Sequence, residues 1–153
     1  MADGGISSSM RKQKIGIVVS RFNIDVTDRL LAGCLKTLAA AKIEESDISV
    51  VRVPGAYEIP WTLQEMALSK KYSILITLGC ILKGETPQND YMAKSVVENI
   101  QKISLQTRVP CVLGVITPNT EKQALARTKG EMDRGKEAAL AALEMLRIKL
   151  RGL

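Results

Sequence analysis

The stretch Lys83-Gly84-Glu85-Thr86-Pro87-Gln88-Asn89-Asp90 holds the residue types best suited to chemistry in this chain. It follows an apolar run, Ser73–Gly79. Within that run, Ile74-Leu75-Ile76-Thr77-Leu78 reads as a strand buried on both faces. Gly84 permits an unusual backbone angle or a close approach to a ligand. Thr86 suits an N-cap and Pro87 a first helical position. A strand-to-helix turn of this kind aims free N–H groups and a positive dipole end at an anion such as phosphate. An ordinary capped loop accounts for the Thr-Pro pair equally well.

The composition narrows the chemistry. The 153 residues contain no histidine, which excludes a Ser-His-Asp triad, histidine metal ligation and a histidine general base within the chain. Cys34, Cys80 and Cys111 lie far apart in apolar contexts, match no metal-ligand spacing, and read as buried free thiols in a reducing cytoplasm. No apolar stretch is long enough to span a membrane. The net charge of +6 raises the question of nucleic acid. The basic residues, however, cluster in Arg11-Lys12-Gln13-Lys14 and near the C-terminus (Arg134, Lys136, Arg147, Lys149, Arg151), and no aromatic stacking platform accompanies them. A solvated basic face, or attraction of anionic substrates, is the reading that fits.

The elements that must position the loop alternate along the chain. Strands are expected at Ile15–Ser20, Ile48–Val53, Ser73–Gly79 and Cys111–Ile116. Helices are expected at Asp25–Lys42, with Val26, Leu30, Cys34 and Leu38 on one face, and at Ile59–Ser69, entered through Pro60. Further helices fall at Pro87–Gln106 (Val96, Ile100 and Ile103 in register), Thr120–Arg127 and Arg134–Lys149. Buried strands alternating with helices imply an α/β three-layer sandwich, a four-stranded parallel sheet with helices on both faces. Residues 1–13 read as a loose, polar N-terminal tail without a secretion signal's apolar region, and residues 14–153 as one domain.

In such folds ligands collect beyond the carboxyl ends of the strands. Four segments leave those ends: Ser20-Arg21-Phe22-Asn23, Val53-Pro54-Gly55-Ala56-Tyr57-Glu58, Cys80–Thr86 and Thr117-Pro118-Asn119. Phe22 is the only phenylalanine and sits in a polar loop, either as a loop anchor or as a ring to stack on a planar heterocycle.

At these segments the chain resembles the 6,7-dimethyl-8-ribityllumazine synthases of riboflavin synthesis, from about Lys14 to the C-terminus. The likeness rests on five motifs in order: Ser20-Arg21-Phe22-Asn23, Val53 to Pro60, Gly84-Glu85-Thr86-Pro87, Gly114-Val115-Ile116-Thr117, and Glu121 to Arg127. It implies a flavodoxin-like sheet. It also implies condensation of 5-amino-6-ribitylaminouracil with 3,4-dihydroxy-2-butanone 4-phosphate, without metal or organic cofactor. It sets Phe22 against the pyrimidine, Ala56 and Glu58 along the ribityl chain, and Ile81 and Leu82 around the ring pocket, with Asn23, Tyr57 and Lys83 as further substrate-binding residues. Gly84, Glu85 and Thr86 would hold phosphate. Leu113 and Arg127 would arrive from a neighbouring subunit, Arg127 to pair with phosphate through its planar fork.

The resemblance further implies a cytoplasmic homo-oligomer, a pentamer that in some members builds an icosahedral shell of twelve pentamers, with riboflavin synthase as a further partner. The short connection Thr128–Asp133 resembles shell-forming members, whereas Ala2–Gln13 lacks the apolar alternation that would pair it with a neighbour's sheet. The last helix, with Leu140, Leu143, Met145 and Leu150, is expected to serve neighbours as well as its own sheet. The pattern departs from the family at one place. Where a histidine, an aromatic and an acid are usual, the chain has Gln88, Asn89 and Asp90. The acid remains, and Gln88, Asp90 and Arg127 are the catalytic candidates. Glutamine does not titrate near neutrality, so the alternative is a lumazine- or flavin-binding cage subunit without catalysis. A flavodoxin-like receiver is disfavoured, because Arg21, Glu58 and Glu85 stand where clustered aspartates would be needed.

Overall fold

The computed structural model describes residues 6–152. The order of elements is α1 (Ser8–Arg11), β1 (Ile15–Ser20), α2 (Ile24–Ala40), β2 (Ile48–Val53), α3 (Ile59–Leu68), β3 (Ile74–Cys80), α4 (Gln88–Thr107), β4 (Cys111–Ile116), α5 (Glu121–Ala126) and α6 (Arg134–Arg151). All pairings are parallel, and the strand order is β2-β1-β3-β4. This is the expected α/β three-layer sandwich.

Side-chain alternation divides the core in two. Ile15, Ile17 and Val19 of β1 and Ile74, Ile76 and Leu78 of β3 pack with Leu30, Cys34 and Leu38 of α2 and the alanine-rich face of α6. Val18 and Leu75 face the other way, onto Ile59 and Leu63 of α3 and Val96, Ile100 and Ile103 of α4. The period-2 strands and period-3.6 helices in the sequence thus meet on both faces of one sheet. Glycine lets two of these contacts close. A Cβ at Gly135 of α6 would strike the Leu30 backbone of α2, and one at Gly114 of β4 would strike the Thr77 carbonyl of β3.

Several expectations are corrected. Only β1 and β3 are buried throughout; β2 and β4 are the sheet edges and expose Ser49, Val50 and Arg52, and Leu113. Helix α4 begins at Gln88 with Pro87 at the N-cap and no side-chain cap, so Thr86 is not the cap. The Pro87 carbonyl already accepts from the Asp90 and Tyr91 N–H groups at 3.0 and 3.1 Å, which starts the helix one residue later. Cys111 is half-buried, because it opens an edge strand. In α6, Leu143 is buried while Leu140, Met145 and Leu150 are exposed. Of the N-terminal segment, Met1–Gly5 lie outside the described residues; Ser8–Arg11 form a helical turn, and Met10 is buried in the core against which that turn packs.

Burial pushes all three thiols up, Cys34 to about 12 with the Asp133 carboxylate adding to it, Cys80 to about 11 and Cys111 to about 12. Each thiol keeps its proton in the folded chain at pH values where the unfolded chain, near 9.0, has begun to lose it. Their stabilising contribution is therefore complete below that value and declines as pH rises toward the folded values. Between pH 8 and about pH 10.5 the parent chain should lose more stability than Cys34→Ala, by roughly 1–2 kcal/mol in urea unfolding. Parallel losses would show that Cys34 ionises as readily folded as unfolded.

Candidate active site

The strand order sends the chain from β1 one way to β2 and the other way to β3. The crevice beyond their carboxyl ends is the place where such sheets bind ligands. Three loops wall it. After β1, the Arg21 and Phe22 N–H groups donate to the Val53 and Pro54 carbonyls at 2.8 and 2.9 Å and prolong the β1–β2 ladder. Asn23 then reverses the chain in the left-handed region, at φ 61°. Asparagine tolerates that conformation better than most residues. Its carbonyl accepts from the Val26 and Thr27 N–H groups, and its side-chain Nδ2 donates to the Cys80 carbonyl at 2.9 Å. Phe22 is left projecting, 71% exposed.

After β2, Gly55–Glu58 make a single tight turn that leads into α3, with the Glu58 N–H donating to the Gly55 carbonyl at 3.2 Å. Ala56 is buried, Glu58 half-buried and Tyr57 exposed. After β3, the Ile81 and Lys83 N–H groups donate to the Ile116 and Pro118 carbonyls at 2.9 and 3.1 Å. That keeps the segment extended before it turns into α4. Gly84 does not use the left-handed region. Its missing side chain makes room for a neighbour instead, since a Cβ there would lie 3.3 Å from the Asn89 amide nitrogen.

These loops enclose a cleft of about 790 Å³. Of the expected residues, Phe22, Asn23, Ala56, Tyr57, Glu58, Ile81, Leu82 and Gln88 line it. An aromatic ring, a carboxylate, a side-chain amide and an apolar wall therefore converge on one space, able to take a planar polar ring with a hydroxylated tail. Lys83 and Asp90 face an adjoining hollow of about 180 Å³ with Thr117 and Asn119. Gly84, Glu85 and Thr86 form the exposed loop at the start of α4. Leu113 and Arg127 lie in a separate groove along β4, so one copy of the chain does not bring them to the cleft. Burial raises the Cys80 thiol at the end of β3, and the Arg127 guanidinium works against that rise.

Some lining residues were not anticipated. Tyr91, Met92 and Ser95 join Gln88 along the cleft face of α4, at the three-, four- and seven-residue steps that the helical period allows. Arg134 shares the β4 groove with Arg127 and donates to Glu137 at 2.9 Å. Its signal was a second arginine in the turn that opens α6. A larger hollow, about 890 Å³, lies between α2 and α6. It is bordered by Lys36, Lys136 and Leu140, away from the loops that leave the strand ends, and the topology favours the smaller cleft. Among the described residues no group of histidine, cysteine, aspartate and glutamate could hold a metal ion, and no helix is long and apolar enough to cross a membrane.

The architecture defines an α/β protein of flavodoxin-like topology with a cleft at the β1–β3 crossing. More narrowly, the chain belongs to the 6,7-dimethyl-8-ribityllumazine synthase family, whose model matches residues 12–149.

Asn23 has two separable tasks, the left-handed turn and the strap to Cys80. Asn23→Gly removes only the strap, whereas Asn23→Ala also strains the backbone. Both should lose roughly 1–3 kcal/mol for the orphaned carbonyl, and the alanine variant roughly 1–2 kcal/mol more, in urea unfolding. Equal stabilities would mean that the turn relaxes.

Proposed function

We propose that this chain condenses 5-amino-6-ribitylaminouracil with 3,4-dihydroxy-2-butanone 4-phosphate to 6,7-dimethyl-8-ribityllumazine, releasing phosphate and water. The observation that carries the proposal is the convergence of Phe22, Glu58, Ile81, Leu82 and Gln88 on one cleft in a chain of this family. Phe22 stacks on the pyrimidine, Ala56, Tyr57 and Glu58 follow the ribityl chain, and Ile81 and Leu82 wall the ring. Gly84, Glu85 and Thr86 hold the phosphate, where the 20-residue helix α4 offers its N-terminal N–H groups.

Leu113 and Arg127 face away from the cleft of their own chain, so a second copy supplies them, Leu113 to close the pocket and Arg127 to pair with phosphate. The working unit is a pentamer with its sites between subunits. The exposed Trp61 and Leu105, and Leu113 on an open edge strand, agree with burial in such an assembly.

The amine of the pyrimidine attacks the ketone and water leaves to give an imine. Phosphate is then eliminated as the carbon beside the imine loses its proton, the enol so formed tautomerises to a ketone, and the ribitylamino nitrogen closes on that ketone with loss of a second water. Gln88 orients a water or a substrate hydroxyl through its amide. The phosphate dianion or water carries the protons, since Asp90 faces the adjoining hollow. Positioned acid–base catalysis is worth ~10²–10⁴-fold, while holding two reactants together can contribute as much as ~7–11 kcal/mol. Turnover therefore survives the absence of histidine.

Lumazine formation from the two purified substrates, followed by absorbance, tests the reading. Saturable acceleration should be lost in Arg127→Ala, and Phe22→Ala should raise KM for the pyrimidine ~2- to 12-fold, the worth of one aromatic stack. Gln88→His should raise kcat and introduce a pH dependence near neutrality. A rate equal to the spontaneous background, in a protein that binds lumazine, would identify a cage subunit instead. Light scattering reads the assembly, and a monomer would remove Leu113 and Arg127 from the site.

A further inference from the structure

We propose that Asn89 is a positioning residue: by holding the Leu82 carbonyl it fixes the Leu82–Lys83 peptide, and through it the preceding Ile81–Leu82 peptide, so that the Leu82 N–H faces the cleft as a donor to the bound ring. The inference rests on the function proposed above and adds a role for a residue that the reading of the reaction leaves idle.

Beyond β3, the Ile81 and Lys83 N–H groups donate to the Ile116 carbonyl at the end of β4 and to the Pro118 carbonyl after it. In an extended chain the N–H and C=O groups of the alternate residues, Cys80 and Leu82, point the opposite way, toward the side where β1 has ended. No strand is there to pair with them, because β1 stops at Ser20 and the chain reverses at Asn23. Two side-chain amides take the place of the missing strand. Asn23 Nδ2 donates to the Cys80 carbonyl at 2.9 Å, and Asn89 Nδ2 donates to the Leu82 carbonyl at 2.6 Å.

With the peptide groups before and after it held at the Cys80 and Leu82 carbonyls, the Ile81–Leu82 peptide is fixed between them and its N–H, on Leu82, is left over. Among the described residues it makes no hydrogen bond, and Leu82 lines the cleft. An N–H donor of fixed direction suits a carbonyl oxygen or an unprotonated nitrogen at the edge of a pyrimidine or pteridine ring. An apolar side chain at position 89 could not hold the carbonyl, and an ionised carboxylate would repel it. Gly84 completes the arrangement by leaving space beside the Asn89 amide.

The test compares Asn89→Ala and Asn89→Asp with the parent chain in its native assembly. Two probes are used, 6,7-dimethyl-8-ribityllumazine by fluorescence and inorganic phosphate by calorimetry, with urea unfolding as a check on folding. Expected is a roughly tenfold loss of lumazine affinity in Asn89→Ala, with phosphate affinity within twofold of the parent. In turnover the same variant should raise KM for the pyrimidine and leave KM for the butanone phosphate. Asn89→Asp should bind lumazine weakly at pH 8 and recover as pH falls toward 5. A protonated carboxyl can donate to the Leu82 carbonyl, and burial against that oxygen raises the carboxyl pKa. Unchanged lumazine affinity in Asn89→Ala, equal losses for both probes, or no recovery at low pH in Asn89→Asp would each overturn the proposal. A parent chain that binds lumazine without turning substrates over would sink the catalytic reading alone, since the binding comparison still decides the role of Asn89. A parent chain that binds neither probe would overturn both.

Discussion

Everything at the site follows from one constraint, that the backbone polar groups at the end of β3 must be satisfied after β1 has turned away. Inside the sheet, β1 and β3 pair from Ile15 with Ile74 to Val19 with Leu78. Beyond that the strands diverge, and buried carbonyls without partners would be costly. The chain answers with asparagine twice. Asn23 can do so because the turn that carries it is left-handed, which brings its amide back over the sheet. Asn89 can do so because α4 starts close above the loop, with Gly84 giving way. The gap left by β1 is the cleft, so the hydrogen bonds that mend the sheet also shape its walls.

Much of this architecture is legible in the sequence, because it depends on periodicity. Val26, Leu30, Cys34 and Leu38 recur at helical spacing and are all buried in α2; Val96, Ile100 and Ile103 behave the same way in α4. The apolar runs of β1 and β3 mark strands covered on both sides. The edge strands are harder to read. Ser49 and Arg52 hint at exposure in Ile48–Val53, but Val50 is exposed as well, and that is set by strand order, which no local pattern records.

The residues around the cleft divide along the same line. Phe22, Glu58 and Gln88 can be found because they stand directly after strands or at the start of a helix, where α/β folds expose side chains to ligands. Asn89 is unreadable in this way. Its partner is a backbone carbonyl on the far side of a loop, and an asparagine in the first turn of a helix has several ordinary explanations. Asp90, one position on, turns with the helix toward Lys83 and Thr117, so its nearness in sequence to Gln88 does not make it a neighbour in the cleft. Arg127 and Leu113 are a different case: they lie beside β4 in a groove apart from the cleft, and they join the site only on the proposed reading, in which a second copy is set against it.

The two amides at the head of α4 share a further property. Neither Gln88 nor Asn89 titrates, and the chain has no histidine to do so elsewhere. One amide faces the cleft and the other holds its wall, so neither task changes with protonation in the neutral range. On the proposed reading the site acts as a mould of constant shape. The substrates' own amine and phosphate then supply the ionisations, and the protein's contribution is to hold them in contact. Such a mechanism tolerates the loss of an acid–base side chain but not the loss of position. That is why the hydrogen bonds at Cys80 and Leu82 weigh as much in this cleft as the side chains that touch the ligand.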